Sequence, residues 1–146
     1  MPSMTLALLA EGPVISAHIG VAGPRRDALI KAGQPVPTLI PCRLLVDTGA
    51  SSTCVDSTIL QQLQLSPSGV IDVHTPSTTA GNAHQCFQYD VSLAIAQTGW
   101  HWNIQATPVL ESHLAHQGID GLLGRDILAY CLLFYNGQGG FFTLGF

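Results

Sequence analysis

Charge is scarce in this sequence. Aspartate, glutamate, lysine and arginine make up 10% of the 146 residues, against about a quarter in an ordinary soluble domain. The 5 lysines and arginines are scattered and outnumbered by 9 acids, a net charge of −4, which excludes the basic footprint of most nucleic-acid-binding chains. Long hydrophobic runs are missing too. The longest beyond the first residues, Ile127 to Phe134, is far too short for a bilayer. The opening MPSMTLALLAEG has only a brief apolar stretch with no lysine or arginine before it, a poor secretory signal. Cys42, Cys54, Cys86 and Cys131 form no C-x-x-C pair, so they read as free, mostly buried thiols in a cytoplasmic protein without a membrane span. Polar low-complexity tracts are absent and hydrophobic residues reach 47%, which excludes wholesale disorder. One domain with one sizeable core fits this length.

Helical periodicity is sparse, and alternation with period two fills the chain instead. Ile15, Ala17, Ile19 and Val21 share one face, with Ser16 and His18 on the other. Phe87, Tyr89, Val91, Leu93 and Ile95 alternate with polar or small residues. After a turn at Gln97 to Gly99, Trp100, Trp102, Ile104 and Ala106 alternate again, predicting a hairpin with one apolar face. Leu132 to Tyr135, the Gly-rich Asn136 to Gly140 and Phe141 to Phe146 predict strand, turn, strand. Two short helices are expected. One is capped by Asp56, carries Ile59, Leu60 and Leu63 and ends before Pro67; the other begins near Asp126 with Ile127, Tyr130 and Cys131. Residues 22–38, with Gly23, Pro24, Gly33, Pro35 and Pro37, read as a long surface loop. The fold class is all-β.

The segment carrying chemistry is LLVDTGASSTCV, in which an apolar strand delivers Asp47 into a turn of Thr48, Gly49 and Ala50. A carboxylate at the end of a buried strand is costly unless hydrogen-bonded or used. An Asx-type turn, with Asp47 bonding nearby backbone N–H groups, also accounts for it. A second element, GLLGRDIL from Gly121 to Leu128, brackets two leucines with glycines, as a strand does when its backbone passes close to another.

Together these segments resemble the single-domain, retropepsin-like aspartic proteases. GPVISAHIG resembles the strand before the catalytic one, QYDVSLAI the strand returning from the flap, FTLGF the chain-terminal strand that pairs with the partner subunit, and MTLALL its N-terminal companion. The resemblance covers nearly the whole of residues 1–146 as a single domain and implies half of a β-barrel or sandwich with one or two short helices, acting as a homodimer. Residues 22–38 form a loop insertion, and residues 74–84 a flap whose tip is Thr78, Thr79, Ala80 and Gly81. It implies an aspartic endopeptidase without metal or cofactor, whose partner is a polypeptide substrate. Asp47 is the catalytic residue, Thr48 and Gly49 support it, and Ala50, Ser51, the flap tip, Leu122 and Leu123 contact substrate. Gly124, Arg125, Phe142, Thr143, Leu144 and Phe146 hold the fold and the dimer. One departure stands out. Viral relatives pair the arginine at the place of Arg125 with an acid where this chain has Ser51, leaving backbone carbonyls, the neighbourhood of Asp126 or the Phe146 carboxylate to accept from it.

A peptide-binding or dimerising module with little turnover is the rival reading. His113 with His116, and His84 with Cys86, lack a second pair at ligand spacing and read as solvated or packed. Trp100 and Trp102 read as core.

Overall fold

A computed structural model of the chain describes residues 1–75, 81–97 and 99–146, with the backbone alone for Gln97 and Trp100. Ten strands dominate it. In chain order they are β1 (Ser3–Ala7), β2 (Val14–Val21), β3 (Ile40–Val46), β4 (Cys54–Asp56), β5 (Gly69–Val73), β6 (His84–Gln97), β7 (Trp100–Ser112), β8 (Gly121–Leu123), β9 (Leu132–Asn136) and β10 (Phe141–Gly145). Seven of them run in the order β2-β3-β8-β4-β7-β6-β5, and a further β2–β6 pairing closes the first six into a ring. Such closure removes exposed edges, leaving β5 outside the ring on β6 alone. The remaining three form a separate sheet, β1-β10-β9.

Alternation predicted the ring's inner face. Ile15, Ala17, Ile19 and Val21 are buried, as are Tyr89, Val91, Leu93 and Ile95. Phe87 departs from the expectation and stands 48% exposed. Ala106 departs as well: it is exposed, while Trp102 and Ile104 pack partly on the core. The reason is a bulge. Val91 pairs with Thr107 but Leu93 with Ile104, so β7 carries an extra residue, and the inward phase slips past Ala106 onto Val109.

Three short α-helices accompany the strands: α1 (Gly23–Lys31), α2 (Ser57–Gln62) and α3 (Arg125–Leu128). Helix α2 starts where Asp56 predicted it, with the carboxylate accepting from the Thr58 backbone N–H at 3.0 Å, and it buries Ile59 and Leu60, with Leu63 just past its end. Helix α3 starts one residue earlier than expected and buries Ile127, but Tyr130 falls beyond it and is exposed. Helix α1 corrects the reading of residues 22–38 as loop. Pro24 sits in its first turn, and Gly33 follows its end at φ +66°. The Gly33 and Gln34 amides donate back to the carbonyls of Ile30 and Leu29. The residues taken for breakers are its start and stop signals.

Candidate active site

Strand β3 emerges from the core, where Leu44 and Val46 are buried, and ends on Asp47. Its parallel pairing with β8 sets Leu45 against Leu122 and Val46 against Leu123, and one more bond, from the Asp47 amide to the Leu123 carbonyl at 3.0 Å, extends the ladder to the acid. Beyond it the chain turns. The Gly49 amide donates to Asp47 Oδ1 at 2.8 Å, and the Ala50 amide to the Asp47 carbonyl at 3.2 Å. The Asx-type turn and an available acid are therefore one arrangement, since one oxygen is held and the half-buried side chain still opens on a cleft. A Cβ on Gly49 would stand 3.1 Å from that held oxygen.

Strand β8 lies between β3 and β4 at a separation that only glycine permits. A Cβ on Gly121 would collide with the Cys54 carbonyl oxygen, and one on Gly124 would lie 2.5 Å from the Ser52 carbonyl carbon. The bracketing glycines thus mark close strand approach, as read from the sequence. From Gly124 the chain enters α3, which is tied to the Asp47 turn twice. The Arg125 amide donates to the Ala50 carbonyl at 2.9 Å, and its exposed guanidinium to the Thr48 carbonyl, also at 2.9 Å. Of the acceptors open to Arg125, a backbone carbonyl is the one used.

Sequence reading missed the link beneath. Thr53, fully buried, donates its hydroxyl to Asp126 Oδ1 at 2.8 Å and its amide to Asp126 Oδ2 at 3.0 Å, and accepts from the Gly124 amide at 3.1 Å. An acid in the first turn of a helix was the available signal, but its partner lies 73 positions away.

The cleft at Asp47 has a volume of about 370 Å³. Asp47, Gly49, Ala50, Ser51 and Leu122 line it as expected, joined by Ser52, Cys54, Val73, His74, Thr75 and Leu110. Leu110 was beyond sequence reading because it arrives by the parallel pairing of β7 with β4. Leu123 corrects its assignment to substrate contact: it is 0% exposed and belongs to the core. Thr48 is exposed and meets α3 through its carbonyl. Thr78, Thr79 and Ala80 lie outside the described residues, and Gly81 sits in an open turn at φ +93°. Burial, with smaller contributions from Cys86, Asp126 and Asp47, pushes the Cys54 thiol up to about 11. It is no nucleophile near neutrality, and Asp47 is the one carboxylate among the described residues that line this cleft.

The terminal strand brings a further correction. Strand β10, expected to meet a partner, is paired on both sides within the chain, by β1 and by β9. Phe142 and Leu144 are core residues at 0% exposure, the Thr143 hydroxyl bonds that of Thr5 at 2.8 Å, and Phe146 packs against Trp102 with ring centroids 4.5 Å apart and the planes tilted by 41°. The open edges of this sheet are β1 and β9, because the long β9–β10 hairpin covers the edge that the resemblance leaves free. Among the described residues no three His, Cys, Asp or Glu side chains group closely enough to hold a metal, and no helix is long and apolar enough to cross a membrane.

Comparison with known proteins agrees with this geometry. A family model described as "Aspartyl protease" matches residues 32–127, the stretch that contains Asp47, the β8 glycines and Arg125. No curated protein sequence matches. Among solved structures, a retropepsin-like aspartic protease from Rickettsia conorii is similar, with a TM-score of 0.58 and 16% identity over 99% of this chain and 91% of that one. The acid-bearing turn, the glycine-spaced strand beside it and the family match lead to one conclusion: the chain belongs to the aspartyl protease family and has the retropepsin-like fold.

Proposed function

We propose that the protein is a homodimeric aspartic endopeptidase in which Asp47 of each copy meets its twin on a two-fold axis. The observation that carries this reading is a lone, half-buried Asp47, anchored through one oxygen on the Gly49 amide and facing a cleft. One such acid per chain makes half a site. Two carboxylates roughly 3 Å apart cannot both ionise readily, so the pair shares one proton and titrates as a unit.

The chemistry follows from that sharing. The ionised Asp47 acts as general base on a water held between the pair, and the protonated copy donates to and polarises the scissile carbonyl. Thr48 and Gly49 hold the two turns together across the axis. An extended polypeptide lies along Ala50, Ser51 and Leu122, gripped mainly through its backbone. Because β10 has no free edge, the second copy docks through the Asp47 turns and the open edges of the β1-β10-β9 sheet. Four unbridged thiols support a cytoplasmic setting.

The rival reading, a binding module with little turnover, was motivated by the missing acid partner of Arg125. The Thr48 carbonyl supplies an acceptor in its place, which favours the endopeptidase. The deciding experiment is digestion of a denatured polypeptide from acidic to neutral pH by wild type and Asp47→Asn, with the solution mass measured alongside. Cleavage by a dimer that vanishes in the variant is the expected result. A strict monomer, or cleavage unchanged by the substitution, would refute the dyad.

A further inference from the structure

The cleft at Asp47 does not end at Leu110. A second cavity of about 380 Å³ adjoins it, and the two share Cys54, Val73, Thr75 and Leu110 as common wall. The residues that follow on β7 and just beyond it, Glu111, Ser112 and His113, line only this second part. An extended chain lying over Asp47 projects alternate side chains in the same direction roughly 7 Å apart, so a substrate that fills the first compartment has a later side chain aimed at the second.

Two polar groups there are not used by the fold. Glu111 is half-buried, and its carboxylate makes no ion pair or hydrogen bond among the described residues. The Ser112 hydroxyl oxygen is buried and has no hydrogen-bond partner. The chain has no cation of its own to offer: Arg26 and Arg43 pair with Asp27 and Glu11, Arg125 bonds Thr48, and Arg25 and Lys31 are on α1.

The other titratable groups on this cavity are His84, Cys86 and His113. His113 Nδ1 is engaged by the Ser57 hydroxyl at 3.1 Å. Burial first, then Glu111, raises the Cys86 thiol, so it stays neutral. The neighbouring acid, Asp56, is fully occupied by four hydrogen bonds. Among the described residues that line the space, Glu111 is the one carboxylate.

We propose that this second compartment is a specificity subsite for a lysine or arginine side chain of the polypeptide substrate, with Glu111 as its charge partner. The inference rests on the reading that an extended polypeptide occupies the Asp47 cleft. It makes Glu111 a specificity-determining residue and, because each copy of the dimer carries one such compartment, places the preference at one substrate position on either side of the Asp47 pair, the others being met by the apolar wall of Val73, Leu110 and Leu122.

The test is separable from turnover. Asp47→Asn protein is titrated at pH 8 with fluorescein-labelled apolar decapeptides that carry lysine, norleucine or glutamate at one position in turn, and binding is followed by fluorescence anisotropy. At the two positions that face the Glu111 of either copy, lysine should bind at least tenfold tighter than norleucine, with glutamate the weakest. Adding Glu111→Gln should make lysine and norleucine bind alike, and Glu111→Lys should reverse the order toward glutamate, with circular dichroism checking the fold of each. Absence of a lysine preference at every position, absence of peptide binding, or a preference that survives Glu111→Gln would overturn the subsite. A lysine preference that depends on Glu111, in a protein whose wild type cleaves none of these peptides, would sustain the subsite and sink the endopeptidase.

Discussion

Arg125 and Thr48, 77 positions apart, meet through a hydrogen bond of 2.9 Å from guanidinium to backbone carbonyl. The bond fastens the helix that follows β8 to the turn that follows β3. The carbonyl it grips is the one next to Asp47, so the direction of that peptide plane, and with it the Gly49 amide that anchors the acid, depends on a side chain from the far end of the domain.

Arg125→Ala should therefore separate stability from reaction. An exposed side chain bonding a carbonyl contributes about 1 kcal/mol to folding, whereas a displacement of about 1 Å in the acid's turn lowers rate roughly a hundredfold. Urea midpoints and Asp47-dependent peptide cleavage, measured together, give the two numbers. Arg125→Lys should restore only part of the rate, because an ammonium lacks the planar fork. A rate loss no larger than the stability loss would contradict the positioning role.

Asp56 carries a pH signature. Burial alone would raise its carboxyl, but bonds from the Thr58 amide and hydroxyl and from the Leu114 and Ala115 amides outweigh it and hold the group at about 2. The folded value lies below the unfolded one of about 3.9, so its contribution is complete above about pH 4 and disappears as pH falls through about 2. Asp56→Asn should cost roughly 2 kcal/mol at pH 7 by turning a donor toward amides that need an acceptor. Chemical denaturation of both proteins from pH 7 to pH 2 should show the gap closing only below about pH 4; a gap that is constant with pH would exclude this account.

Two glycines in strands should respond oppositely to alanine. At Gly121 the new methyl meets the Cys54 carbonyl and lies 2.8 Å from Leu44 Cδ2, and β8 cannot retreat because it is paired on both sides. A loss of about 3 kcal/mol is expected. At Gly69 nothing lies within 4 Å, and alanine should be neutral or stabilise by about 0.5 kcal/mol through the unfolded chain. Thermal unfolding of both variants checks the contrast.

What the sequence revealed divides along the range of the interaction. The inward faces of β2 and β6, the Asp56 cap, the Asp47 turn and the meaning of the β8 glycines are written within a few residues, and alternation or turn chemistry reads them directly. Helix α1 was equally local but misread, because Pro24 and Gly33 act as boundaries when placed at a helix's ends and as breakers when placed inside it. The phase slip at Ala106 needs the β6 partner to be known. Leu110 reaches the cleft, and Thr53 reaches Asp126, across pairings that no stretch of either segment encodes. The same holds for β10, whose residues look alike whether the neighbouring strand belongs to the same chain or to a second copy.

Strand β5, which brings Val73 and His74 to the cleft, hangs from β6 alone while the six-membered ring closes without it. It is a cantilever: tilting or peeling it away breaks one ladder and leaves every rung of the barrel intact. Displacing this wall of the cleft is thereby uncoupled from unfolding the protein, and the strands that fix the acid keep every one of their ladders.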